Sequence, residues 1–331
     1  MFLQNHLGIV YSVYAGQHDD AIKIWQSVVE QKLPSTRKSG VADLARAEAS
    51  KHVSALCISR ASSEPSRADE YIKIAEGLND STASIVPSQI GTERMQTKLH
   101  LATWYCNREK IEKAKSLVRD EVLWALDILT DDDPANDFHG FYVLANALRA
   151  VQDDKNHLAA RHAMRQYGEN DSAISEANKK QKATNDTDAF CSGLCLQEHK
   201  QWDNMRLCKS CPDLNLCPNC WALFKSNDLH LQICNPEHEF LYVPRMKHVF
   251  IRGNQVVVNE HVVRLDNWVA ELKKEWQEKP IAEITSSRWR RSSSKELGSG
   301  DAKIERKRDK LWRMFSNEKD KHQGSIPPRS P

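Results

Sequence analysis

Seven of the nine cysteines fall within the 44 residues from Cys191 to Cys234. They come as close pairs: Cys191 with Cys195, Cys208 with Cys211, and Cys217 with Cys220. Cys234 and His238 supply a fourth pair. Thiols at such spacing either cross-link as disulfides or bind metal. In a reducing compartment glutathione keeps structural pairs open, whereas a dication holds thiolates together, so the crowding predicts metal. Donors two to four residues apart suit structural zinc, because one short turn presents both at about 2.3 Å from the ion. Eight donors make two tetrahedra, so the expectation is two Zn2+ ions with every position filled. That leaves no place for the water a hydrolytic zinc requires.

Spacing alone leaves the sharing of the pairs open. Only five residues separate Cys211 from Cys217, and both a sequential arrangement and an interleaved one can be drawn. His230 competes with Cys234 as a ligand, while His199 reads as a solvated loop residue. Cys57 and Cys106 stand alone in segments that read as helices and are expected to be small buried core residues.

The elements that must carry these donors follow from the rest of the chain. A length of 331 residues with 40% apolar composition is enough for two or three structural units. The net charge of +2 is too small to imply a nucleic-acid partner. No apolar run approaches the ~20 residues of a membrane span, and the first residues lack the pattern of a secretory signal. A soluble, intracellular protein, cytoplasmic or nuclear, is the expectation.

Residues 1–168 read as helix after helix. Leu7, Gly8 and Tyr11, then Gly16, then Ala21, Trp25 and Val28, with Pro34 closing the unit, describe two amphipathic helices around a tight turn. The second-helix pattern recurs as Ala68, Ile72 and Ala75 and again as Ala114 and Val118. The first-helix pattern recurs as Leu56, as Leu101, Ala102 and Tyr105, and as Leu144, Ala145 and Leu148. These residues resemble the tetratricopeptide repeat, which implies a solenoid of stacked helical hairpins. The leading leucines are 49, 45 and 43 residues apart, against 34 in that family, so its helices or loops are expected to be longer. A pattern that begins almost at Met1, with no polar capping helix ahead of it, suggests a truncated gene model or the C-terminal part of a longer protein.

The run from Met205 through Cys208, Cys211, Asp213 and Cys217 to Cys220 and Trp221 resembles the core of a ZZ-type zinc finger, and the likeness extends from about Phe190 to Pro244. That family is interleaved. The resemblance therefore implies Cys191, Cys195, Cys217 and Cys220 on one ion and Cys208, Cys211, Cys234 and His238 on the other. The sequence departs from the family in its first pair, which has three intervening residues, and in offering Cys234 before His238 where two histidines are usual. Both departures resemble a divergent ZZ branch at the ends of fungal helical-repeat proteins, in which C-x3-H supplies the last pair. Several ZZ fingers hold a peptide amino terminus with acidic side chains, which makes Asp203 and Asp213 candidates, though solvated surface acids are the plainer reading. Trp202, Trp221, Phe224 and Phe240 are expected to pack over the metal cages, since so small a domain has little other core. Trp202 is also a candidate peptide contact.

The fold class expected is mainly α: a helical-hairpin solenoid followed by a small zinc-stabilised α+β finger. Its parts are tetratricopeptide-like repeats over 1–168, a polar linker over 169–189, the finger over 190–244, a short hairpin plus amphipathic helix over 245–280, and a basic tail over 281–331. The hairpin is expected between His248–Ile251 and Gln255–Val258, and the helix carries Leu265, Trp268, Val269, Leu272 and Trp276 on one face. The tail reads as disordered, and its mixed charges argue against nucleic acid as a partner. The function expected is a protein- or peptide-binding scaffold or adaptor. The alternative is a ubiquitin ligase using the cross-braced finger, although a RING finger places its histidine mid-series and this chain places it last. No phosphate loop or catalytic nucleophile motif stands out.

Overall fold

The computed structural model describes residues 2–31 except 15, 40–82, 91–174 except 134 and 135, 189–245 except 194, 196, 197, 200–202, 212, 213, 232 and 233, and 254–277. Met1–Ile85 and Thr92–Glu278 form one compact unit. Of the second unit, Val86–Gly91 with Lys279–Pro331, only Gly91 is described. The basic tail, most of the polar linker, Trp202, Asp213 and the expected strand at His248–Ile251 lie outside the described residues.

Helix accounts for 68% of the described residues, which places the chain in the mainly helical class with a small sheet region. Eight helices come first: α1 (Phe2–Ile9), α2 (His18–Glu30), α3 (Gly40–Ser63), α4 (Ala68–Thr82), α5 (Gly91–Cys106), α6 (Ile111–Ile128), α7 (Asp137–Ala150) and α8 (Asp154–Ile174). Among the described residues no helix is long and apolar enough to cross a membrane.

The helices pack in chain order, and the small residues of the repeat pattern show why. An added Cβ on Gly8 would stand 2.4 Å from the Trp25 indole nitrogen, so α1 and α2 approach as they do only because Gly8 has no side chain. Ala21, Trp25 and Val28 are buried on one stripe of α2. Leu56, Leu101 and Leu144 are buried in the same way, but Leu7 is 45% exposed. Helices two apart also touch: the Ser54 hydroxyl lies 2.8 Å from His100 Nδ1, and Ser50 meets Thr97 at 3.1 Å, joining α3 to α5. Tyr105 of α5 donates to Glu76 of α4, and Lys98 of α5 reaches Glu121 of α6 at 2.5 Å.

Three of the four hairpin tips share one backbone device. Gly16, Glu109 and Gln152 adopt φ of 64°, 59° and 59°, the left-handed step that ends a helix and closes a tight turn. Backbone bonds from Gln17 to Tyr11, Lys110 to Tyr105 and Asp153 to Leu148, at 2.9, 2.9 and 3.0 Å, complete each turn. The second tip instead uses a short 3-10 turn at Pro65–Arg67. The longest of these helices is α3, with 24 residues.

The cysteine-rich segment follows α8. Strands β1 (Ala189–Phe190) and β2 (Glu198–His199) pair antiparallel, and β4 (Asn215–Leu216), β3 (Arg206–Cys208) and β5 (Phe240–Tyr242) form a three-stranded antiparallel sheet in that order. Helix α9 (Pro218–Lys225) follows β4 and buries Cys220 and Phe224. The chain then returns to the array. Strands β6 (Gln255–Val258) and β7 (His261–Arg264) make a hairpin, and α10 (Leu265–Gln277) buries Leu265, Trp268, Val269, Leu272 and Trp276. These residues join the same apolar core as α2–α8. Trp268 stacks on Phe141 and donates to Asn156 Oδ1 at 2.8 Å, and Lys273 pairs with Asp127 at 2.8 Å.

Gln255–Val258 is a strand, and among the described residues it pairs with His261–Arg264 through a turn at Asn259–Glu260; the strand expected at His248–Ile251 lies outside them. Both turn residues have positive φ, 49° and 67°, the two-residue turn whose twist matches that of paired strands.

Buried imidazoles make the array sensitive to acid. His52 stacks on Trp25 at 5.1 Å, and burial first, then the charges of Lys51 and His100, lower its pKa to about 4. His157, His139 and His18 are lowered too, each chiefly by burial. They are neutral when folded and take up protons on unfolding once the pH is below about 6.5, so stability is present above that value and is lost as pH falls towards 4. The melting temperature should fall by roughly 5 °C or more between pH 7 and pH 5, and His52→Phe should lessen that fall. Equal slopes by circular dichroism in both proteins would refute the assignment to His52.

Candidate metal centre

The eight candidate donors gather into two groups. Cys191, Cys195, Cys217 and Cys220 form one; Cys208, Cys211, Cys234 and His238 form the other. Within each group every ligand atom lies within 4.8 Å of the rest. The first and third pairs thus share one group and the second and fourth share the other, an interleaved arrangement that spacing alone leaves open. His230 is exposed and belongs to neither group, and of His199 only the backbone, in β2, is described.

Local structure explains each donor's place. Cys191 and Cys195 sit in the connection between β1 and β2. Cys208 ends β3, and the turn towards β4 brings Cys211 back, its N–H donating to Cys208 Sγ at 3.2 Å. Cys217 is the N-cap of α9: its sulfur accepts from the Cys220 N–H, and Pro218 starts the helix where no N–H is needed. Cys234 and His238 flank an Asn235 turn, in which the His238 N–H donates to the Asn235 carbonyl at 3.0 Å. The Lys209 N–H donates to the Glu239 carbonyl at 2.9 Å and draws the final pair over the Cys208 turn.

The distances fit a tetrahedral ion. His238 Nδ1 lies 3.6, 3.3 and 3.5 Å from the sulfurs of Cys208, Cys211 and Cys234, and the Cys234 and Cys208 sulfurs are 3.6 Å apart. In the first group the Cys195 and Cys217 sulfurs are 3.9 Å apart. A tetrahedral zinc has ligand–ligand edges of about 3.5 to 3.8 Å.

Without a cation, such crowding sets the thiols against one another. Hydrogen bonds from Cys211 and then Cys234 hold the Cys208 thiol well below the ordinary range. The same hydrogen bonds with Cys208, ahead of burial and of its charge, raise Cys211 far above that range and push Cys234 up to about 12. Burial pushes Cys191 up to about 12 and raises Cys220.

Aromatic packing surrounds the donors. Trp221 lies 4.6 Å from Phe240 and 6.3 Å from Phe224, and the two phenyl rings are 6.0 Å apart. They pack with Met205, Leu207, Leu214 and Leu216 in a core separate from that of the helices. Comparison with family models, curated proteins and solved structures returns no match. The centre is therefore read from its own geometry.

Three features escape sequence reasoning. Asp203, a candidate for holding a peptide amino terminus, pairs with Arg165 of α8 at 3.1 Å. Gly193 is demanded by the site, since an added Cβ would stand 2.5 Å from Cys220 Sγ; the glycine between the first two ligands was its only visible signal. Arg149, Asn215 and Lys209 brace the second group from outside, and nothing in their spacing announces it. Cys57 and Cys106 are buried in helices of the array, where burial pushes the Cys57 thiol up to about 12, so neither is primed as a nucleophile.

Two outcomes follow for substitutions. Cys234→Ala should cost one bound metal ion by elemental analysis while His230→Ala keeps the full complement; the reverse would reassign the fourth donor. Gly193→Ala should weaken binding at the Cys191 group by about tenfold or more and spare the other, measured by competition with a chromogenic chelator.

Proposed function

We propose that this chain is a zinc-dependent interaction scaffold. Two Zn2+ ions close the cysteine-rich segment as a cross-braced finger of ZZ type, and the helical hairpins stack as a tetratricopeptide-like solenoid. Both surfaces serve a protein or peptide partner. The observation that carries the reading is the closure of each group: four thiol or imidazole donors within 4.8 Å of one another, enough to fill a tetrahedron and leave no vertex for water or substrate. Closed sites of this composition hold a fold together, whereas catalytic zinc keeps a position open. Thiolate-rich tetrahedra select zinc or iron–sulfur clusters, and a lone imidazole among three thiolates suits zinc.

Recognition is supported by surfaces rich in groups that interfaces favour. On the finger, the Arg206 guanidinium lies 3.8 Å from the Tyr242 ring centre and the Lys225 ammonium 5.1 Å from that of Trp221, with Tyr242 and Leu223 exposed beside them. Aromatic and arginine side chains are enriched at protein interfaces. Because Asp203 is engaged by Arg165, this reading places the partner on the cation–aromatic face rather than on an acidic pocket.

Elemental analysis of the purified full chain should return two zinc ions, and chelation should remove the finger's tertiary signal, because binding energy at such sites is largely folding energy. One ion or fewer would overturn the two-zinc reading. Ubiquitin transfer from a charged conjugating enzyme would move the protein to the ligase class.

A further inference from the structure

The helical array grips the turn that carries two of the metal donors. Arg149, in the last turn of α7, donates to Asn215 Oδ1 at 3.0 Å and to the backbone carbonyls of Cys208 and Leu214 at 3.3 Å each. All three acceptors belong to the β3–β4 hairpin around Cys208 and Cys211. Lys209, between those cysteines, reaches Asp154 of α8 at 2.6 Å, and Leu158 of α8 packs on the cysteine-rich core. Asn215 relays the contact onwards: its carbonyl accepts from the Ser192 N–H at 2.7 Å, and its N–H donates to Ser192 Oγ at 3.1 Å, beside Cys191.

Two physical effects follow. Fixing the Cys208 carbonyl orients the peptides of the turn, including the Cys211 N–H that points at Cys208 Sγ, so the donors are set before the ion arrives. In addition, three thiolates and a neutral imidazole around a dication retain a net negative charge, which a nearby guanidinium offsets. Partners that orient and neutralise ligands in this way typically alter metal affinity by about 10- to 100-fold.

We propose that Arg149 is a positioning residue for the Cys208–Cys211–Cys234–His238 metal site, so that the helical array itself tunes how tightly that ion is held. The inference rests on the reading of both groups as metal sites. By reciprocity, loss of the ion loosens the α7–α8 end of the array, and whatever stiffens that end tightens the ion.

The test is metal release from the full chain to a chromogenic chelator, in wild type, Arg149→Ala, Arg149→Lys and Asn215→Ala. The release phase of the Cys208 group is identified as the one missing from Cys234→Ala. Arg149→Ala should accelerate that phase by about tenfold or more and leave the other within about twofold. Arg149→Lys, which restores charge without the planar fork, should recover part of the loss. Cobalt(II) loaded in place of zinc should show altered visible bands for that group. Asn215→Ala leaves α7 intact and should change the same phase, which guards against a general unfolding of the Arg149 variant. Unchanged phases in both alanine variants, or equal acceleration of both phases, would overturn the inference while leaving the metal reading intact. A wild-type chain that binds no metal would overturn both.

Discussion

Four sulfur and nitrogen donors pressed into one small volume repel as soon as more than one of them ionises, and only a cation among them relieves the repulsion. The cysteine-rich segment is organised around this constraint twice over. Its strands are two or three residues long and its apolar core is a handful of side chains, too little to fix a unique fold alone. Each turn delivers a donor pair, and each group that could hold a metal ion draws on two turns distant in the chain. Interleaving then ties β1–β2 to the start of α9, and β3–β4 to the loop before β5, so neither half can be closed without the other.

The helices answer a different constraint. Helices adjacent in the chain stack around one apolar core, with Gly8 where α1 and α2 come close and Trp25, Leu101, Tyr105 and Leu144 buried. The hairpin β6–β7 and α10 complete this stack rather than the cysteine-rich segment: Trp268 and Trp276 share a core with α6 and α7. The cysteine-rich segment is consequently an insertion in sequence between parts of the array. Its polar anchors, Arg149, Asp154 and Arg165, all project from α7 and α8. The cysteine-rich segment and the array are in this way parts of one folding problem.

Much of this was legible in the residues. The donor pairs stood out because thiols at two- to four-residue spacing have few other uses, and the apolar face of α10 stood out because a 3.6-residue period admits one reading. The β6–β7 turn was not legible, because a glutamate with positive φ, as at Glu260, has no sequence mark. Leu7 occupies a repeat position yet faces outward, since a periodic position specifies a stripe on a helix and not what covers it.

Local chemistry, then, was settled in the chain: which atoms are soft donors, which turns present them in pairs, which helices have an apolar side. Their pairing across the fold was not, because spacing constrains only neighbours in sequence, whereas the choice between sequential and interleaved tetrahedra depends on which turns the sheet brings face to face. The bracing of Cys208 by Arg149 lies further still from the sequence, 59 residues apart along the chain. An arginine on a helix surface finds its acceptors only when two independently built cores dock, and no periodicity encodes where that contact falls.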